Sequence, residues 1–326
     1  MSRFNLLLAV ALLGLVVLAL ALGETPLAPA DWLTALSSPG SPQGEILWSI
    51  RAPRAAVAAA VGAALGLSGA VMQGLLRNPL ADPGVLGVSA GAGLGAALAI
   101  TLGLAAVPGG VEGASLAAAL AAGAALTALA VRFREPETLI LFGVALSAFT
   151  GALTSLVFNL STSPVSTSEI LAWLLGSVAN RDWGDLGRAA APMAAGAALC
   201  AYAARGLVML TLGEETAALS GLPMSRLRAA AVAGAALLTG AAVAMAGVIG
   251  FVGLAAPHLV RAGAGSDPAR TLAPSAVAGA ALLVGADLAG RLIPTDQELK
   301  LGVVTALFGA PLFALIAWRA ARSWRG

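Results

Sequence analysis

Long apolar runs, separated by short polar or proline-bearing turns, constrain this chain more than any other feature. Several reach the roughly 20 residues a helix needs to cross a hydrocarbon core, where only structures that satisfy their own backbone hydrogen bonds persist. Only 10% of the 326 residues are charged and 59% are hydrophobic, whereas a soluble domain carries about a quarter charged residues. The chain therefore reads as an all-α, polytopic membrane protein. Its 40 glycines suit closely packed helices. The single cysteine, Cys200, excludes an internal disulfide and a thiolate metal cluster. The net charge of +2 says little about nucleic acid, but there is no basic stretch interleaved with aromatics of the kind such a partner requires.

Ten spans are predicted, at about 5–22, 55–76, 84–107, 113–131, 138–160, 187–204, 227–248, 249–262, 272–293 and 300–318. The first run, behind Arg3, has the alternative reading of a signal peptide. It is long for an h-region, and another span follows rather than a secreted domain, so a transmembrane helix is favoured. Residues 24–45, with Glu24, Asp31, Glu45 and several prolines, are expected to form an exposed loop. With the N-terminus inside, twelve of the 18 basic residues face the cytoplasm and six face out. That asymmetry places both termini in the cytoplasm.

The turn from Leu75 to Gly95 carries two prolines. Asn78-Pro79 should end one helix, and Asp82-Pro83 should start the next, with Asp82 as N-cap and Pro83 in the first turn. Gly87, Gly91 and Gly95 then form a small-residue stripe for close packing. The eighth span, Phe251 to Arg261, is short, bracketed by glycines and interrupted by Pro257. If 55–160 and 227–318 are two four-helix units entering from opposite sides, these interrupted segments occupy corresponding places in inverted repeats and point to a translocation path.

Three motifs carry a family resemblance. They are Asn78-Pro79-Leu80-Ala81-Asp82-Pro83-Gly84 with Leu86-Gly87-Val88-Ser89; Gly250-Phe251-Val252-Gly253-Leu254 with Pro257-His258-Leu259-Val260-Arg261; and Gly302-Val303-Val304-Thr305-Ala306 with Gly309-Ala310-Pro311. Together they resemble, in order, the permease family of bacterial type II ABC importers, over nearly the whole chain from Arg51 to Arg319. The resemblance implies one transmembrane permease domain over 1–326, with helix 1 at 5–22, core helices within 55–318 and a cytoplasmic coupling loop at 211–223. It implies a multi-pass protein of the bacterial inner membrane that pairs with a second copy of itself, two cytoplasmic ATPase subunits and an extracytoplasmic substrate-binding protein, surrounded by membrane lipid. The cargo would be a metal chelate, a ferric siderophore first, with haem and vitamin B12 as alternatives. Lys300 is the sole lysine and there is no Walker motif. The chain is thus expected to be a transport permease and not an enzyme, to bind no cofactor, and to leave ATP and magnesium to a partner subunit.

The candidate sites follow. Gly213 and Gly221 bracket a predicted helix whose Glu214 and Glu215 complement its N-terminal dipole. This stretch, with Thr216, Ala217 and Ala218, looks like the family's coupling helix, although a merely solvated connector has the same appearance. Arg51 and Arg54 face outward against the positive-inside trend and match the family's Arg-x-Pro-Arg motif, whose arginines meet carboxylates of the binding protein. Headgroup snorkelling is the alternative. Arg291 is a weaker docking candidate, because Asp287 one turn earlier offers it a partner within the membrane. Ser147, Thr150 and Thr154 share one helix face and are candidates to line the path, unless their hydroxyls bond back to their own helix. The resemblance adds Asn78 and Leu80 at the cytoplasmic gate. Gln73 needs a partner on another helix. His258 stands alone, and no catalytic or metal-ligating constellation is visible. The rival class is an ion-coupled secondary transporter, which would ordinarily keep acidic groups in the membrane; Asp287 is the one carboxylate placed there.

Overall fold

The computed structural model describes residues 3–323 except 24, 26, 29, 134, 162, 266 and 294–297. Among the described residues there is no strand. The helices are α1 (Arg3–Ala21), α2 (Asp31–Ser37), α3 (Pro42–Glu45), α4 (Ala52–Leu76), α5 (Val88–Thr101), α6 (Gly110–Arg132), α7 (Pro136–Leu160), α8 (Pro164–Leu174), α9 (Trp183–Leu210), α10 (Glu214–Leu219), α11 (Met224–Ala246), α12 (Val252–Ala264), α13 (Pro268–Leu292) and α14 (Leu301–Ser323). All ten predicted spans coincide with helices. Seven helical stretches of the described residues are long and apolar enough to cross a membrane. The exceptions include α5, with 14 residues, and α12, with 13, each only about 20 Å long at 1.5 Å per residue.

Two expectations about local structure are corrected. The 24–45 region is not simply a loop, because it holds α2 and α3, and α3 runs through a π-helical turn at Ile46–Arg51 straight into α4. Pro53 explains the widened turn: its ring lacks an N–H and crowds the preceding carbonyls, and a π turn relieves that crowding. Nor does Asp82-Pro83 open a helix. The chain leaves α4 through Arg77 at φ 47° and stays irregular until Gly87, at φ +100°, which starts α5. Asp82 instead folds onto its own turn, accepting the Gly84 N–H at 2.7 Å, and Asn78 accepts from Leu80 in the same way at 2.9 Å. Of the glycine stripe, Gly91 and Gly95 face α6, whereas Gly87 lies against Leu146 of α7.

The two four-helix units share a packing pattern. α4 packs on α13 as α11 packs on α6; α5 packs on α6 and α7 as α12 packs on α13 and α14; α4 crosses α12 as α11 crosses α5. α4 and α11 also pack on each other, joined by a Thr239–Ser68 hydroxyl bond of 3.1 Å in the fully buried core. Small residues permit these approaches. A Cβ on Gly62 would strike the backbone of Gly279, a Cβ on Gly279 that of Gly62, and one on Gly69 that of Gly253. Lipid tails are as apolar as leucine, so such backbone proximity and interhelical hydrogen bonds hold the bundle where hydrophobic burial cannot.

The helix breaks meet one another. Ser177 donates to the Ala246 carbonyl at 2.7 Å, Leu301 to Gly176 at 2.9 Å and Gly302 to Leu175 at 3.0 Å. The ends of α8 and α11 and the start of α14 thus satisfy one another's backbone, as interrupted helices within a membrane must.

Candidate functional site

α4 spans about 37 Å and connects two charged regions at opposite ends of the bundle. At its start, Arg54 binds Asp287 of α13, with Nη2–Oδ1 at 2.7 Å and Nε–Oδ1 at 3.1 Å, and also pairs with Glu298. Arg291 completes the cluster, its Nε 3.2 Å from Asp287 Oδ2. The Asp287 side chain is only 3% exposed. Two of the three expected docking arginines therefore converge on one carboxylate, and the i,i+4 pairing foreseen for Arg291 and Asp287 is present.

Arg51 requires a correction. Its outward exposure was expected, yet it is buried and donates to the carbonyls of Leu20 (2.8 Å), Ala21 (2.9 Å) and Thr25. It satisfies the orphan carbonyls at the C-terminus of α1, where a cation is also favoured by the helix dipole. Arg291 reaches the same helix end at Ala19 and Leu22. Arg51 thus ties the end of α1 to the turn before α4, and Arg291 ties it to α13.

At the other end of α4 lies α10. Gly213 at φ +100° and Gly221 at φ +84° bracket it, conformations a side chain would strain. Ala217 is its buried residue, while Glu215, Thr216, Ala218 and Leu219 are exposed, Leu219 to 89%. Glu214 pairs with Arg228 of α11, Oε2–Nη2 2.7 Å. A solvent-facing leucine on a short, glycine-hinged helix is a feature suited to a partner's groove.

Between these ends, Gln73 donates to the Gly253 carbonyl at 3.2 Å and accepts from Arg261, so its expected interhelical partner is α12 on both counts. Asp82, in the connection between α4 and α5, rests its second carboxylate oxygen against Gly253, where a Cβ would collide with it. Burial pushes the Asp82 carboxyl up, against backbone N–H bonds from Gly84 and Val85 that pull it down. Sequence reasoning treated Asp82 as a helix cap and missed it as a half-buried acid packed against Gly253. It also missed Glu298 and Arg228. For Arg228 there was a signal, since a cation just inside a predicted span requires a partner.

The hydroxyl stripe on α7 turns inward on its own backbone. Thr150 donates to Leu146 O at 2.8 Å and Thr154 to Thr150 O at 2.9 Å, while Ser147 is half-buried on the same face and Thr150 buried. Leu80 is 51% exposed and Asn78 half-buried beside it. The α7 stripe and the 78–80 turn are not joined by a hydrogen bond among the described residues. No group of three or more potential metal ligands occurs among them either.

Comparison with known proteins gives a consistent result. The model of the FecCD transport family matches residues 10–319. The chain is 43% identical over 189 residues to the uncharacterized ABC transporter permease protein YvrB of Bacillus subtilis, covering 58% of this chain and 53% of that one. It is 42% identical over 194 residues to the cobalamin import system permease protein BtuC of Halobacterium salinarum (58% and 52%), and 39% identical over 179 residues to the vitamin B12 import system permease protein BtuC of Vibrio cholerae (54% and 52%). In each case the match spans about half of the relative's length. A solved structure described as an inward-facing conformation of a metal-chelate type ABC transporter superposes with a TM-score of 0.86 at 30% identity, over 98% of this chain and 100% of that one.

Proposed function

The chain belongs to the FecCD transport family, and from that premise we propose that it is the permease of an ATP-driven importer for a metal chelate, working by alternating access in a bacterial inner membrane with both termini cytoplasmic. The observation that carries this reading is the near-complete structural match to a metal-chelate type ABC transporter, combined with a glycine-hinged α10 whose outer face is exposed. In this reading 1–326 is one permease domain that pairs with a second copy. α10, with Gly213, Glu214, Glu215, Thr216, Ala217, Ala218 and Gly221, receives the motion of two ATPase subunits. A binding protein docks at Arg54 and Arg291. Asn78, Leu80, Ser147, Thr150 and Thr154 line or gate the path. The threonines can offer the path little hydrogen bonding while bonded to their own helix, which suits a passage that must release its cargo.

On cargo, relatives named for cobalamin import favour a corrinoid, and the metal-chelate structure favours a ferric siderophore or haem. Against an ion-coupled transporter stands the state of Asp287, held between two arginines rather than available to a coupling ion. The test is a pull-down of the tagged protein in mild detergent, with an ATPase assay and an Ala218→Arg variant. An ATPase subunit that accompanies the wild type and is lost from the variant supports the reading, and uptake of labelled siderophore, haem and cobalamin then assigns the cargo. Uptake that follows the proton gradient with no associated ATPase overturns it.

A further inference from the structure

We infer that Arg228 is a positioning residue that carries displacement of α10 to the turn between α6 and α7, and through it to α7. The inference rests on the reading of α10 as the contact with an ATPase. Arg228 lies in the first turns of α11 and is 7% exposed. One arm of its guanidinium meets Glu214 Oε2 at 2.7 Å, and another donates to the Phe133 carbonyl at 3.1 Å. Phe133 directly follows α6, and α7 begins at Pro136. A guanidinium is a planar fork with several donors, so it holds two acceptors in a fixed mutual geometry, which a lysine ammonium on a flexible stem does not.

The pair is packed more closely toward the α6–α7 turn than toward the outer face of α10. On the side of the α6–α7 turn, Leu75, Leu76, Ala130, Pro136 and Leu139 pack beside the pair and leave a void of about 20 Å³, little more than one water needs. A second, wider cleft of about 700 Å³, which Glu214 and Arg228 also line, is bordered by Arg132, Glu215, Ala218 and Leu222. α10 itself has a single buried side chain and a glycine of positive φ at each end. Its charge-assisted bond to Arg228 is therefore a principal tether, and it leads to α7.

The experiment uses the complex that co-purifies with the tagged chain, in a Cys200→Ser background. Spin labels are placed at the exposed positions Leu141 on α7 and Tyr202 on α9, and their separation is read with and without ATP plus vanadate. The wild type should show a nucleotide-dependent shift. Arg228→Met should keep the ATPase bound and hydrolysing within about twofold while losing most of that shift. Arg228→Lys should recover part of it. The exchange Glu214→Arg with Arg228→Glu should recover none, because a carboxylate cannot donate to the Phe133 carbonyl; full recovery would reduce the residue to a simple ion pair and overturn the inference. Should Arg228→Met not assemble, Glu214→Gln loosens the same tether without removing the fork, and an undiminished shift in that variant overturns the inference. Absence of an ATPase from the wild-type complex overturns the coupling reading itself, and this inference with it.

Discussion

Arg54 and Asp287 lie 233 positions apart in the chain and share three hydrogen bonds, two to Oδ1 at 2.7 and 3.1 Å and one to Oδ2 at 3.2 Å, at the contact of α4 and α13. The pair links the first and second four-helix units near one end of the bundle, where Arg291 and Glu298 extend it to a four-residue network. Truncating one partner leaves a buried charge uncompensated, which typically costs about 3–5 kcal/mol. Asp287→Ala, which leaves two arginines facing each other, should be more damaging than Glu298→Ala, whose side chain is 31% exposed. Thermal unfolding in detergent checks the order; a Glu298 variant as destabilised as the Asp287 variant contradicts the network as described.

Gly279 and Gly62 offer a second test. Gly279→Ala drives a methyl group into the backbone of α4 and should cost about 1–3 kcal/mol by overpacking. Gly113 on α6 and Gly187 on α9 have nothing within 4 Å of a hypothetical Cβ. There an alanine should be neutral or stabilising by up to about 1 kcal/mol, through helix propensity and a less flexible unfolded chain. A melting-temperature comparison of the three variants suffices.

Asp82 makes stability depend on pH. Its native pKa is raised by burial, so the folded protein binds this proton more readily than the unfolded chain. Stability should therefore be highest below the ordinary carboxylate range and fall as pH rises through the raised native value. Asp82→Asn keeps an oxygen for the Gly84 N–H and carries no titrating group, so its stability should lose this component of the pH slope. Unfolding midpoints of both proteins across the acidic range measure it, and parallel curves would refute the assignment.

Leu219 separates interaction from folding. At 89% exposure its replacement by Glu should alter stability by no more than about 0.5 kcal/mol, yet reduce ATPase association at least tenfold if α10 is the contact. Quantitative pull-down beside a melting curve reads both. Unchanged association would move the contact elsewhere on that face.

A helix at each of the ten predicted positions was legible because an apolar run is a local property, although seven stretches among the described residues are long and apolar enough to cross a membrane. The glycine brackets of α10 were legible as well, since they follow from conformations only glycine adopts easily. The resemblance to a permease family, carried by three ordered motifs, was legible too. Asp82 was misread because Asp-Pro is an ordinary helix opening, and its seat depends on Gly253, distant in sequence and lacking a Cβ to keep it out. Arg51 was misread because its acceptors are carbonyls of α1, a backbone feature with no residue signature.

The sequence by itself determined the membrane class, the places of the long apolar helices and the family, since each is encoded in composition, run length or contiguous motif. Tertiary structure alone decided which charges meet: Arg54 with Asp287, Gln73 with Arg261, Glu214 with Arg228. The physical reason is that a buried charge or amide must find a partner wherever packing brings one within about 3 Å. In this bundle glycine and alanine contacts between distant helices set that proximity, and no local pattern records it.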